Sequence, residues 1–444
     1  MVLESPGSKE KTRTDIMAEM GRAQAAFDAA PDNAEARYLY AHLLYISGEF
    51  WKAWEVAKVF SPEINPSLKA QAFVARLAFL LGDYAAAERL YGALVTSAKS
   101  DPSAYISALV GLMFTDYVQN KFDAIKALPF PAGVALPQHK AITAFEGQPY
   151  TLDWSTNDKV AIVPFVMTDP VPLLMVEVNR VPIAVFFDTG ADTLIIDPDI
   201  AEALGVEITL STKGPFGGGL EAEFGFGQVA SLKLGDVMIG NVPVTILPSK
   251  RFSGIYKNKG IILGGVVGTA MLRQFLATVD YEHGQFVLRE RRASSLESLR
   301  QSQRQKEMVE VPFVLDYPHV MMTRGGLNDR DGLTLFVDSG LALDAKFTAP
   351  LQTLAYLGIP VPEVKETDFV GGGGGVWKSG FFSVDSIRLG PLAQKPAKGE
   401  FGALPPEFYW SREYIQDVLI SHSFLREYAT WTLDFDRMTY IFER

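Results

Sequence analysis

The sequence predicts two architectures in one chain: an all-α helical-repeat N-terminal domain and an all-β remainder made of two similar lobes. Three observations carry this. From Thr14 to Leu128 apolar residues recur at helical spacing, as in AEARYLYAHLLYISGEFWKAWEVAKVF, and β-branched runs are scarce. From Val171 onward short β-branched apolar runs alternate with glycine-bearing turns. The two halves of that β part repeat one series of landmarks in one order. At 444 residues the chain is also long enough for two or three domains. The expected division is helices over 14–128, a connector over 129–170 with one or two strands, and a first lobe over 171–290. A polar linker or exposed helix over 291–310 and a second lobe over 311–444 complete it.

Composition narrows the function classes. Hydrophobic residues make up 48% and charged residues 21%, enough apolar material for large cores and too much for general disorder. The net charge of −11 argues against a surface that follows a phosphate backbone, so nucleic acid is not an expected partner. The absence of cysteine excludes disulfides, thiol nucleophiles and cysteine-based zinc sites. Five histidines are scattered as surface or structural residues, none at metal-ligand spacing, so no metal and no cofactor is expected. No stretch approaches the roughly 20 apolar residues of a membrane span. The opening MVLESPGSKEKTRTD lacks the apolar core of a secretory signal. The compartment is therefore left open: periplasmic or secreted if a signal has been removed, cytoplasmic otherwise.

Within the helical part a period appears. Gly48-Glu49-Phe50 followed by Ala53 recurs as Gly82-Asp83-Tyr84 followed by Ala87, 34 positions later. Ala41 and Ala75 are also 34 apart, and Asn120-Lys121-Phe122-Asp123-Ala124 is a looser third copy. This resembles the tetratricopeptide family, although its first-helix Trp is absent. The resemblance implies a stacked superhelix with a concave face, and so a surface for docking a substrate or protein partner. A helical cap packed on the next domain is the simpler alternative. Trp51 and Trp54, three apart, fall on one helix face and are expected in the core.

In the β part, VFFDTGADTLII (185–196) pairs with LFVDSGLALDAKF (335–347), the two aspartates lying 150 positions apart. Leu204-Gly205-Val206 answers Leu357-Gly358-Ile359, and Gly217-Gly218-Gly219 answers the run Gly371 to Gly375. Leu234-Gly235 answers Leu389-Gly390, Val266-Val267-Gly268 answers Leu419-Ile420-Ser421, and Asp280 answers Asp434. Six landmarks at offsets of 150–155 indicate an internal duplication. The glycine run at 371–375 is not a phosphate loop, because no Gly-Lys-Ser/Thr follows a strand. Asp280 and Asp434 read as turn formers.

The duplicated tripeptides carry the chemistry. Val185-Phe186-Phe187 runs straight into Asp188-Thr189-Gly190, and Leu335-Phe336-Val337 into Asp338-Ser339-Gly340. A carboxylate at the end of a buried strand is costly unless it has a task. The hydroxyl residue can bond across to a partner loop, and glycine permits the tight turn. Over about three fifths of the chain this resembles the retropepsin-like and pepsin-like aspartic proteases, with Asp188-Thr189-Gly190-Ala191-Asp192-Thr193 nearest the retroviral type.

The resemblance implies a bilobal acid-protease fold with Asp188 and Asp338 facing each other and sharing a proton. The ionised partner would activate a water and the protonated one would bind the scissile carbonyl of a peptide or protein substrate. Because both lobes lie in one chain, a monomer suffices. It implies support from Thr189, Gly190, Ser339 and Gly340. It also implies substrate contacts from Ala191 and Asp192, from a first flap with Phe216, Gly217, Gly218 and Gly219, and from a second with Gly372, Gly373, Gly374 and Trp377. This sequence departs from the pattern in lacking a flap tyrosine, in having Ala342 opposite Asp192, and in having Ser421 opposite Gly268. Those departures motivate an alternative, a protease-fold protein that binds peptides or acts as a scaffold without cutting. A zymogen whose first 170 residues block the cleft is a third reading. A Ser/His/Asp triad through His422, flanked by Ser421 and Ser423, is a remote fourth.

Overall fold

The computed structural model describes residues 11–60, 67–134, 136–215, 221–256, 261–302, 307–370, 376–402, 404 and 406–444. Helices come first. Thr12 caps Arg13–Ala29 with a reciprocal Thr12/Asp15 bond pair, and Asn33 caps Ala34–Ile46. Asp83 caps Tyr84–Ser97, while Asp101 with Pro102 opens Pro102–Val118. Three helix pairs follow one another: Ala34–Ile46 with Phe50–Ala57, Leu68–Leu80 with Tyr84–Ser97, and Pro102–Val118 with Phe122–Lys126. In the turn after the first helix of each pair, Gly48, Gly82 or Asn120 has φ of 83°, 80° or 59°. Glycine enters this left-handed region freely and asparagine tolerates it, which is why the third turn works without glycine. No described helix is long and apolar enough to cross a membrane.

The β region begins earlier than Val171. A helix at Pro137–Ala144 is followed by strands Thr151–Trp154 and Val160–Met167. The first pairs with Val237–Ile246, and the second joins Gln285–Glu290 to Leu173–Val178. Residues 291–310 likewise hold a helix, Ala293–Ser302, and the start of strand Met308–Pro312.

Among the described residues the strands form a 14-stranded and a 10-stranded sheet. The larger crosses between the two halves of the β region. Phe275–Asp280 from the first half pairs antiparallel with Thr430–Asp434 from the second. Thr278 sits opposite Thr432, their hydroxyls 2.8 Å apart. In each half the strand that leads to the Asp-Thr/Ser-Gly loop has a parallel neighbour. Val185, Phe186 and Phe187 pair with Gly265, Val266 and Val267, and Leu335, Phe336 and Val337 with Val418, Leu419 and Ile420. Such internal strands are apolar on both faces, which explains the unbroken VFF and LFV runs. The matched glycines Gly205 and Gly358, and Gly235 and Gly390, have φ of 65°, 67°, 56° and 54°. Asp280 and Asp434 accept backbone N–H groups of the turns that follow them.

The helices share their core with the sheets. One buried cluster runs from Ala75 through Phe187 and Val337 to Phe442, and a second joins Ile16, Leu44, Phe50 and Phe73 to Met322, Phe336 and Tyr414. Trp51 and Trp54 pack against it half-buried. Charged residues pin the same boundary. Arg13 pairs with the buried Asp417, which also accepts the Thr334 N–H at 2.8 Å. Arg76 pairs with Asp316, which is fully buried and also accepts the Tyr414 hydroxyl at 2.7 Å. Arg324 bonds Glu49 at 2.6 Å and the Ser47 carbonyl at 2.8 Å.

Burial would push the Asp316 carboxyl up, but Arg76, Arg412 and Tyr414 outweigh it and hold the carboxyl below its ordinary value. Its stabilising contribution is therefore present above the unfolded carboxylate range and is lost on acidification through the lowered value. Asp316→Ala leaves the half-buried Arg76 and the buried Tyr414 hydroxyl without their partner and is expected to cost about 1–3 kcal/mol in denaturant unfolding. A chain beginning at residue 130 exposes the apolar faces of both clusters. It is expected to aggregate or to lose cooperative unfolding, rather than gain function as a released zymogen would.

Candidate active site

Each half of the β region presents its aspartate at the mouth of a parallel strand pair. The Asp188 N–H donates to the Val267 carbonyl at 2.9 Å, and the Asp338 N–H to the Ile420 carbonyl at 3.0 Å. Glycine two residues on then turns its N–H back onto the carboxylate: Gly190 to Asp188 Oδ1 at 2.7 Å, Gly340 to Asp338 Oδ1 at 3.0 Å. Glycine is required at both places. A Cβ on Gly340 would lie 2.3–2.7 Å from the Asp188 carboxyl, and one on Gly190 2.7–2.9 Å from that of Asp338. The same contacts show that the two carboxyls meet across the pair of loops.

The loops are locked by an exchange of hydroxyls. Ser339 Oγ accepts the Thr189 N–H at 3.0 Å, and Thr189 Oγ1 accepts the Ser339 N–H at 2.9 Å. Each hydroxyl then donates onward, Thr189 to the Val337 carbonyl at 2.8 Å and Ser339 to the Phe187 carbonyl at 3.4 Å. Both side chains are fully buried, so every one of these polar groups needs the partner it has.

Burial raises both carboxyls above their ordinary value. Asp338 is raised furthest, first by burial and then by the charge and hydrogen bond of Asp188, whereas the bond from Asp338 and the N–H groups of Gly190 and Gly340 hold Asp188 down. The two carboxyls therefore share a proton and titrate as a unit.

Behind each loop a short helix supplies a third anchor. In Thr269–Leu272, the Thr269 hydroxyl donates to the Thr189 carbonyl at 3.3 Å. In His422–Leu425, 153 positions later, His422 Nδ1 lies 3.1 Å from the Ser339 carbonyl. Its Nε2 is 3.4 Å from the Tyr281 hydroxyl, which itself accepts from Trp431 Nε1 at 3.0 Å. Since a carbonyl can only accept, the proton is on Nδ1. Burial pushes His422 down to about 3, so it stays neutral. His422 is therefore neither a surface residue nor a triad member. Ser421 and Ser423 donate to the carbonyls of Ala345 and Leu343. The signal that finds His422 in the sequence is its register with Thr269, not its residue type.

The mismatch of Ser421 with Gly268 has a physical reason. A Cβ on Gly268 would lie 2.4 Å from the carbonyls of Asp192 and Thr193. In the second half the offset has grown from 150 at the aspartates to 153 at Ser421. The three extra residues before strand Phe347–Thr348 make room for the Ser421 side chain, which bonds Ala345. Asp192 is likewise engaged elsewhere than the cleft: its Oδ2 accepts the Tyr117 hydroxyl from helix Pro102–Val118 at 3.0 Å. Burial raises Asp192 to about 6, against the opposing pull of Arg273 and Tyr117. Ala191 is buried beside the loop.

A strand pair borders each glycine cluster in the sequence. Leu210–Pro215 pairs with Glu221–Leu234, and Lys365–Val370 with Val376–Val384. Phe216, Gly217, Gly218 and Gly219, and Gly372, Gly373 and Gly374, lie outside the described residues. Trp377 is placed in its strand by the backbone.

Residues 174–268 match the family model described as aspartyl protease, a span that contains the Asp-Thr-Gly loop, the first hairpin and Gly268. Among solved structures, a crystal structure of a retropepsin-like aspartic protease from Rickettsia conorii aligns at 16% identity, TM-score 0.22. The alignment covers 32% of this chain and 96% of that one. No curated protein matches the chain.

The paired carboxyls bind more protons folded than unfolded, so their contribution to stability falls as pH rises above the ordinary carboxylate range. Asp338→Asn relieves that cost and is expected to raise the thermal midpoint at pH 7 more than at pH 4. For the third anchor, His422→Thr copies the first half and is expected to keep stability within about 1 kcal/mol. His422→Ala leaves the Ser339 carbonyl without a donor and is expected to cost about 1–3 kcal/mol, measured by denaturant unfolding.

Proposed function

We propose that the protein is an aspartic endopeptidase whose active site is assembled within one chain from two duplicated lobes. The observation that carries this reading is the reciprocal Thr189/Ser339 exchange beneath two facing, buried carboxyls that are both raised above their ordinary value. The ionised carboxyl of the pair takes a proton from a water held between Asp188 and Asp338, and that water attacks the scissile carbonyl carbon. The protonated carboxyl hydrogen-bonds the carbonyl oxygen and gives it its proton as the tetrahedral diol forms. On collapse the proton taken from the water passes to the leaving nitrogen, the C–N bond breaks, and a diol hydroxyl returns its proton to the other carboxyl, restoring the starting pair.

The hairpins whose strands border the two glycine clusters in the sequence serve as flaps over an extended peptide. Thr189, Gly190, Ser339 and Gly340 hold the carboxyls in place. Substrate reaches the cleft beside Ala191 and beneath the flaps, and Asp192 acts on it only through the shape of its loop. The helical segments are tetratricopeptide-like, and any groove they leave free would dock a protein substrate or partner. Because both aspartates belong to one chain, a monomer is sufficient.

Binding without cleavage is the competing reading. The asymmetry of Asp192 and Ala342 favours it, whereas Ser421 does not, since its side chain is accommodated. Cleavage of a peptide library at mildly acidic pH separates the two. Activity is expected to fall above the pH at which the pair loses its shared proton, and Asp188→Asn is expected to reduce it by about 10²–10⁴-fold or more. Undiminished cleavage by that variant would overturn the assignment; tight binding of a statine-type analogue with no turnover at any pH would establish the binding reading.

A further inference from the structure

The turn of the third helix pair closes on the back of the Asp-Thr-Gly loop at two points. Tyr117, in the last turn of helix Pro102–Val118, gives its hydroxyl to Asp192 Oδ2 at 3.0 Å. Asn120 donates from Nδ2 to Gln274 Oε1 at 2.8 Å, and Gln274 Nε2 donates to the Ala270 carbonyl at 2.7 Å. The Ala270 N–H in turn donates to the Asp192 carbonyl at 2.8 Å. Both lines therefore end on one residue, shortly after Asp188 in the same loop.

Neither side of this contact has room to yield. A Cβ on Gly268 would stand 2.4 Å from the carbonyls of Asp192 and Thr193, so the backbone behind the loop passes directly against it. The Thr269 N–H donates to the Ala191 carbonyl at 2.9 Å, and its hydroxyl to the Thr189 carbonyl at 3.3 Å. The Tyr117 ring is held as well. It stacks on Phe122 at 5.8 Å with 19° between the planes, and the Arg273 guanidinium lies 5.7 Å from its centre. Phe122 is the aromatic of the third repeat copy, answering Phe50 and Tyr84, so the repeat that builds the helical turn also fixes the hydroxyl. At the matched position of the second half stands Ala342, whose side chain accepts no such bond.

We propose that Tyr117, acting through Asp192, is a positioning residue for the Asp188 carboxyl, with Asn120 as a second support through Gln274. The proposal rests on the reading of Asp188 and Asp338 as the catalytic pair. Releasing the Asp192 side chain lets the chain after Gly190 relax. A carboxyl displaced slightly from the water it activates loses rate without losing affinity for substrate. The helices thereby serve catalysis directly, by holding a loop of the active site, whatever else they dock. Asp192 touches no substrate in this arrangement; its carboxylate is the point at which the helix grips the loop.

The test compares Tyr117→Phe, Asp192→Asn, Asp192→Ala and Asn120→Gly in the full chain, with thermal unfolding confirming that each is folded. Phenylalanine removes only the hydroxyl, and asparagine keeps an acceptor for it. Glycine keeps the left-handed turn at 120 while removing the amide. Tyr117→Phe and Asp192→Ala are each expected to lower kcat about 10-fold with KM unchanged within about twofold. Asp192→Asn is expected to keep most of the rate, and Asn120→Gly to lose less than Tyr117→Phe. Tyr117→Phe combined with Asp192→Ala is expected to lose no more than either alone. A raised KM in Asp192→Ala with Tyr117→Phe unaffected assigns Asp192 to substrate binding and overturns the proposal, as does full activity in Tyr117→Phe. A wild type that cleaves nothing sinks the protease reading by itself, and carboxyl carbon NMR then decides the positioning claim. Tyr117→Phe is expected to change the titration of the Asp188/Asp338 pair while leaving that of Asp434 in place; an unaltered pair overturns the claim.

Discussion

Two buried hydroxyls exchanged between two loops set the geometry on which the rest of the site depends. Thr189 and Ser339 each accept the other's backbone N–H and donate to the strand beneath the opposite loop. That arrangement satisfies four groups that no water reaches, and it can be met only with the loops back to back. The two carboxyls must then meet, and the sharing of one proton follows from the meeting. Glycine at 190 and 340 is a consequence of the same constraint, since a methyl group at either position would occupy the opposing carboxyl's place.

The helices are part of this frame rather than an appendage to it. Arg13, Arg76 and Glu49 reach into the β region to pair with Asp417, Asp316 and Arg324. Tyr117 bonds Asp192 four residues beyond Asp188. Buried ion pairs of this kind contribute little beyond what apolar residues of the same size would, but breaking one is expensive. They therefore fix the seating of the helices on the sheets more than they strengthen it. Removing the helices would strip one wall from a shared core, which is difficult to reconcile with a detachable pro-segment.

The features legible in the sequence are those set by local rules. Helical spacing, the left-handed turn positions at Gly48 and Gly82, and the apolar strand running into each aspartate all report short-range geometry, and the structure places each where that geometry requires. The repeated landmarks located the two loops because matched residues face matched constraints. Less was visible where a residue's task comes from distant chain. The sequence leaves His422 as surface or structural without choosing, because its structural role depends on Tyr281, Trp431 and Ser339. Asp192 looked like a cleft residue because nothing local announces Tyr117. Ser421 looked like a defect until the three-residue insertion before Phe347 was seen to make room for it. The two strands expected in the connector are Thr151–Trp154 and Val160–Met167, but their place in the sheet is not local, since they pair with residues 83–89 and 121–129 positions further along the chain as well as with Leu173–Val178.

The central claim is that Asp188 and Asp338 form one proton-sharing unit. The most direct test is a carboxyl carbon NMR titration of the aspartates in the wild-type chain and in Asp338→Asn. The account predicts two well-separated steps for the pair in the wild type, the higher far above the ordinary carboxylate range, and loss of that separation in the variant. Two independent titrations near the ordinary value, unchanged by the substitution, would contradict it.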